Sequence, residues 1–256
     1  MKSYIILFVF TFILLAACSD DDGPTNGDEN NKTYTTQEQD IANGSGYTFL
    51  TVNSDDKPVE FGIVLKKSVL EDLPEQKERY RYHLEAPTAN GENILGITTV
   101  HVDWNPNGHP PQGIYTVPHF DLHFFVIPES TINNISQETV APVPNKYIPE
   151  HYKLINPTYI PKMGAHAADT TSREFQGEEF TRTFIYGYYD KKMAFFEPMV
   201  TRQYLSSLSG SKTGDFPAPD NFSYSGYAPQ SVSYTYDSEN EEYRISLSDL
   251  KAVTSE

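Results

Sequence analysis

Apolar and polar residues alternate with a period of two in one short segment after another, and no other feature restricts the fold as strongly. The segments are YTFLTVN (47–53), VEFGIVL (59–65), RYRYHLE (79–85), ITTVHVDW (97–104), HFDLHFFVI (119–127), FTRTFIYGYY (180–189), MAFFEPMV (193–200), SVSYTYD (231–237) and YRISL (243–247). Successive side chains of an extended chain point to opposite faces, so this pattern predicts half-buried strands. The 18 tyrosines and 15 phenylalanines suit a pleated surface. Helical signals are few: KKSVLEDL (66–73), ESTINNIS (129–136) behind Pro128, and TRQYLSSL (201–208), which stops before Gly210. The fold class expected is mainly β, an antiparallel β-barrel or sandwich with a few short helices. A barrel is preferred because polar residues fall on faces that would line its interior. The five prolines between Pro142 and Pro161 predict an ordered loop that is neither helix nor central strand.

The N-terminus belongs to export rather than to the fold. Met1-Lys2 is followed by an apolar run from Tyr4 to Leu15 and by the small-residue sequence LAAC ending at Cys18. Residues 1–17 therefore read as a lipoprotein signal peptide, with Cys18 as the lipidated residue. The apolar run is shorter than the roughly 18–20 residues that a membrane-spanning helix requires. Cys18 is the only cysteine, so lipidation leaves no thiol for disulfides or nucleophilic chemistry. Residues 18–45, poor in large apolar side chains, read as the lipidated cysteine and a flexible acidic tether. The SDDDG directly after Cys18 resembles the export signal of Gram-negative bacteria that display lipoproteins on the cell surface. The location expected is the bacterial outer membrane, cell-surface exposed, with the membrane as a partner through the lipid at Cys18. Residues 46–256 are expected to form a single β-rich domain. The net charge of -16, with acidic residues scattered along the chain, excludes nucleic acid as a partner.

Function has to be sought in the polar positions of the strands. In VPHFDLHFFVIP (117–128), alternation places His119, Asp121 and His123 on one face and Phe120, Leu122 and Phe124 on the other. His101 and Asp103 share a face of VHVDW, His109 lies in the turn NPNGHPPQG, His166 in KMGAHAAD, and Glu197 interrupts AFFEPMV. A glutamate among Phe195, Phe196 and Met199 is costly to bury unpaired, so it should meet a cation, a donor or a metal. A zinc or iron site needs three or four imidazole and carboxylate groups converging on one point. Residues i and i+4 of a flat strand lie about 13 Å apart, which separates His119 from His123, whereas Asp121 is about 6.6 Å from either. No nucleophile elbow, phosphate loop, dinucleotide fingerprint or HExxH helix occurs. Ser172, His166 and Asp169 make a triad on paper only, since they fall within one short stretch.

The segments WNPNGHPPQGIYTVPHFDLHFF, YIPKMGAHAAD and TFIYGYYDKKMAFFEPMVT resemble the recurrent blocks of a family of exported bacterial proteins classed as a domain of unknown function and typified by a protein from a thermophile. The resemblance spans most of residues 95–208, and the blocks in order are more specific than any one alone. It implies a β-rich fold, assembly into oligomers and no established catalysis. Its polar positions correspond here to His109, His119, Asp121, His123, His166 and Glu197. The chain departs from the pattern after His166, where AAD stands in place of a block that holds an aromatic residue.

Two functions of different class fit these residues. The first is a small-ligand-binding or oligomeric scaffold module, possible as a homo-oligomer, whose pocket is lined by His119, Asp121, His123, His166 and Glu197. The second is a metal-dependent enzyme of the water-activating hydrolase or lyase type acting on a small molecule, with zinc, iron or manganese as cofactor. In that reading His119, His123, His166 and Glu197 are ligands, Asp121 orients an imidazole and His109 carries protons at the mouth. His101 and Asp103 support or gate the pocket.

Overall fold

The computed structural model describes residues 30–256. The stretch expected to be a signal peptide, Cys18 and the first part of the expected tether lie outside the described residues. The strands are β1 (Lys32–Thr35), β2 (Gln39–Ile41), β3 (Gly44–Val52), β4 (Pro58–Lys66), β5 (Tyr80–Leu84), β6 (Thr99–Asn105), β7 (His119–Phe125) and β8 (Tyr152–Leu154). They continue with β9 (Ala165–Asp169), β10 (Arg182–Tyr189), β11 (Lys192–Thr201), β12 (Ser211–Asp215), β13 (Gly226–Ala228), β14 (Ser231–Asp237), β15 (Glu242–Ser248) and β16 (Lys251–Val253). Two short helices, α1 (Glu129–Asn134) and α2 (Arg202–Ser206), complete the set with three 3-10 turns.

The first sheet runs β1-β3-β4-β15-β14-β12, with β2 also on β3; the second runs β5-β6-β7-β11-β10-β9-β8. Both are antiparallel, and β13 pairs with β16 in a small separate ladder. Neither large sheet closes on itself, so the expected barrel gives way to a sandwich. Leu50, Phe61, Ile63 and Leu247 of the first sheet share one core with Val102, Trp104, Phe120, Leu122, Phe124 and Phe196 of the second. Phe61 and Phe124 meet edge to face across the layers, 5.4 Å between ring centroids.

The polar residues that suggested a barrel lumen occupy the opposite face of the second sheet. That face is buried too, because the chain's own connections cover it: every residue of β6 and β7 is buried. Tyr115, Ile132, Met163 and Phe180 pack down onto Phe125, Ile185, Phe195 and Met199. The proline-rich stretch between Pro142 and Pro161 adds Ile155 and Ile160 to this cover and contributes a 3-10 turn, Asn145–Tyr147, and the edge strand β8, as its missing N–H donors dictate.

The ordered domain begins earlier than the expected boundary at residue 46, which falls inside β3. β1 pairs with β3 from Lys32↔Val52 to Thr35↔Phe49, β2 pairs with it from Gln39↔Gly46 to Ile41↔Gly44, and Ile41 is fully buried. Threonine hydroxyls tie the edge down, Thr33 to Thr51 at 2.9 Å and Thr36 to Thr48 at 3.2 Å. An edge strand of this kind is held by backbone pairing and short polar side chains, which a count of large apolar residues does not register. The expected helix over 66–73 is a single 3-10 turn, Lys67–Leu70. That over 201–208 shortens to α2, whose first turn is capped by the Thr201 hydroxyl accepting from the Tyr204 N–H at 3.1 Å.

Candidate metal centre

Register brings the polar residues into rows across the second sheet. Asn105 lies opposite His119, Asp103 opposite Asp121 and His101 opposite His123 between β6 and β7. On the other side of β7, Met199 faces Asp121 and Thr201 faces His119. Glu197 follows two residues before Met199 on β11, and His166 comes in from β9, opposite Gly187 of β10.

Three groups of potential ligands result among the described residues. His109, His119 and Asp121 form one, His123, His166 and Glu197 a second, and His83, His101 and Glu129 a third, with the donor atoms of each within 4.8 Å of one another. Six of the seven histidines are thereby accounted for. His119 and His123 fall into different groups, so the four-ligand set of His119, His123, His166 and Glu197 does not form around one ion. The extended strand holds the two imidazoles too far apart.

In the first group, Asp121 lies between two imidazoles. His119 Nε2 is 3.0 Å from its Oδ1 and His109 Nε2 is 3.2 Å from its Oδ2. Asn105 donates to Oδ2 at 2.8 Å. The far ring nitrogen of each histidine faces a backbone carbonyl: His119 Nδ1 to Val117 O at 2.7 Å and His109 Nδ1 to Pro110 O at 2.7 Å. Only an Nδ1–H can satisfy a carbonyl, so the Nε2 lone pairs of the neutral rings aim at an anion. This is the arrangement by which a histidine is prepared for a metal; without one, a proton must take its place. Burial disfavours the charge on Asp121, but His119 and His109 outweigh it and hold the carboxyl well below its usual range. Burial likewise opposes the charge on His109, and Asp121 outweighs it and raises that imidazole. His109, expected only at the mouth, belongs to this group; its loop is fixed by His109 N–H donating to Tyr115 O at 2.9 Å. Gly108, at φ +65°, lets Tyr115 O come within 2.1 Å of where a Cβ would stand.

The second group is deeper. Glu197 Oε1 is 3.4 Å from His123 Nε2 and Oε2 is 3.6 Å from His166 Nε2. Burial first, and then the charges of Asp121 and Asp103, push the Glu197 carboxyl well above its ordinary value. Burial holds His123 well below its ordinary value and His166 down to about 3. Both imidazoles are thus neutral, as metal ligands have to be. Behind His123, Asp103 Oδ2 stands 3.9 Å from Nδ1 and is itself gripped by Arg81 through Nε at 2.7 Å and Nη2 at 2.6 Å. Asp103 therefore lies behind His123, while His101 belongs with His83 and Glu129 at the sheet edge and does not line the cavity.

The first two groups form the floor of a cavity of about 1020 Å³. His109, Asp121 and His166 open onto it, with Arg79, Asn105 and Asn156 as further polar lining and Tyr115, Ile160, Met163 and Ile185 among its apolar walls. His119, His123 and Glu197 lie beneath, each no more than 1 % exposed. Among the residues that sequence reasoning passed over, Arg79, Arg81 and His83 were within reach, since alternation in RYRYHLE sets all three on one face. The chain matches no protein-family model, no curated protein and no solved structure.

Proposed function

We propose that the protein is an exported metalloprotein that holds divalent transition-metal ions at two centres of two histidines and one carboxylate each, and acts through them on a small molecule in the cavity above. One observation carries this reading: nitrogen and oxygen atoms of six side chains face each other in two sets at 3.0–3.6 Å. Ligands about 2.0–2.2 Å from a common ion stand about 3–3.5 Å from one another. Three protein ligands leave coordination positions open, which is the pattern of catalytic rather than structural sites.

A bound ion would supply Lewis acidity and a water of lowered pKa. The chain's own residues do the rest. Val117 O and Pro110 O hold the His119 and His109 rings in one tautomer, Asp103 and Arg81 back His123, and Asn105 orients Asp121. His109, 33 % exposed at its side chain, is the ligand of the first centre that faces the cavity. The apolar walls suit a largely apolar ligand, and they favour a second reading in which a ligand is bound through the metal without turnover.

The test is elemental analysis of tag-free protein. Up to two equivalents of zinc, iron or manganese per chain are expected, one lost in His109→Ala/His119→Ala and the other in His123→Ala/His166→Ala. Full metal content in both double variants would overturn the assignment. We further propose that the chain is a lipoprotein anchored at Cys18 and displayed at the outer membrane. Cys18→Ser should then release a folded protein from the membrane fraction, and its retention there would refute the lipid anchor.

A further inference from the structure

The third group lies at the sheet edge rather than on the cavity floor. His83 of β5 and His101 of β6 are register partners, with ring centroids 4.2 Å apart and planes tilted by 60°. Glu129, the first residue of α1, reaches back so that its Oε1 is 3.7 Å from His83 Nδ1. His101 is 2 % exposed, and neither of its ring nitrogens has a hydrogen-bond partner. An imidazole always presents at least one N–H, and when neutral one lone pair as well. Left buried without partners, both go unsatisfied, and no donor or acceptor of the first two groups serves them. His83 and Glu129 also line a cavity of about 520 Å³, distinct from the one above the first two groups.

We propose that His83, His101 and Glu129 form a separate outer site for a divalent ion that favours imidazole, Zn²⁺, Cu²⁺ or Ni²⁺. The buried His101 supplies a fixed ligand. His83 and Glu129, 53 % and 54 % exposed at their side chains, close on the ion from the solvent side, so this ion exchanges more readily than any held at the cavity floor. Arg81 and Arg79 both face Asp103, at 2.6–2.7 Å and 3.8 Å, and the Glu129 carboxylate is the negative charge of this group that would compensate the ion.

The experiment is equilibrium dialysis of the whole mature chain against Zn²⁺ and, separately, Ni²⁺. Three variants accompany it: His83→Ala/Glu129→Gln, whose changes are half-exposed and leave the core intact, His101→Phe, and the inner quadruple variant His109→Ala/His119→Ala/His123→Ala/His166→Ala. A weak equivalent beyond the tight ones is expected, weakened roughly 10-fold or more in the first two variants and kept in the inner variant if that variant folds. Broadening of the His83 side-chain NMR signals by Ni²⁺ in the wild-type chain gives a readout that needs no inner variant. Unchanged stoichiometry and affinity in His83→Ala/Glu129→Gln, or no broadening at His83, overturns the outer site. Loss of the tight equivalents alone would count against the inner centres and leave this one standing.

Discussion

Gly187 supplies no ligand atom, yet its replacement by alanine should damage the deeper centre. On β10 it sits between His166 of β9 and Phe195 of β11, both register partners. A Cβ there would stand 2.1, 2.2 and 2.3 Å from three ring carbons of Phe195. Ordinary carbon contacts are about 3.5–4.0 Å, so the ring must retreat by more than about 1 Å. It has nowhere neutral to go, because its centroid is 4.9 Å from that of His123, 5.1 Å from His166 and 5.2 Å from Phe125. Overpacking of this kind costs roughly 1–3 kcal/mol, which for a domain of this size is a fall of about 2–12 °C in Tm. Displacing the His123 and His166 rings should also weaken metal binding at that centre by about 10–100-fold. Calorimetry and competition with a chromophoric chelator measure the two effects. In a Phe195→Leu background the clash is relieved, so Gly187→Ala should cost much less there, and the two changes should not add. An unchanged Tm and affinity in Gly187→Ala, or an equal cost in both backgrounds, would refute the reasoning.

Three further outcomes follow from the same geometry. Leu122→Ala empties a fully buried site between the sheets and should cost roughly 2–5 kcal/mol in guanidinium unfolding; less than about 1 kcal/mol would place Leu122 outside the core. Arg81→Ala leaves Asp103 buried without its bidentate partner and should cost roughly 3–5 kcal/mol, while a negligible loss would mean that Arg79, 3.8 Å away, suffices. Deletion through residue 42 removes β1, β2 and the buried Ile41, so Tm should fall by more than about 5 °C, and an unchanged Tm would show the edge to be dispensable.

Much of the sandwich was legible because its signal is local. Alternation in HFDLHFFVI assigns Phe120, Leu122 and Phe124 to one face and His119, Asp121 and His123 to the other, and the fixed rise of a strand separates His119 from His123. What was not legible is nonlocal. Which strand lies beside β7 decides that Glu197 meets His123, and that pairing joins segments some seventy residues apart. His109 enters the first group through a loop held by Tyr115 O and Pro110 O, and no periodicity encodes such bonds. The tether's described part, from residue 30 on, departs from the expectation for a different reason, since β1 is held through backbone pairing and threonine hydroxyls. The barrel preference failed because polar residues on a buried face were assigned to a lumen, when a sheet covered by its own connections presents the same pattern.

The same buried face also shows what a purely structural polar cluster looks like, and the contrast bears on function. Asp103 receives two hydrogen bonds from one guanidinium and needs nothing more. Its neighbours are left differently. Among the described residues the buried side-chain nitrogen and oxygen atoms without a hydrogen-bond partner are those of His101, His119, Asp121, His123, His166 and Glu197, with the Tyr234 hydroxyl as the one exception. Unsatisfied groups spread at random would point to loose packing. Here they fall in the three groups whose donor atoms already converge, on a sheet whose aromatic and aliphatic residues pack tightly around them. Sequences break the rule of polar satisfaction where function requires it, and a cation at the first group would meet the orphaned His119 Nε2 and Asp121 Oδ1, and one at the second the orphaned His123 Nε2 and Glu197 Oε2. That coincidence of orphaned and converging atoms, more than the number of histidines, is what supports the proposal that the polar face of β7 holds metal centres.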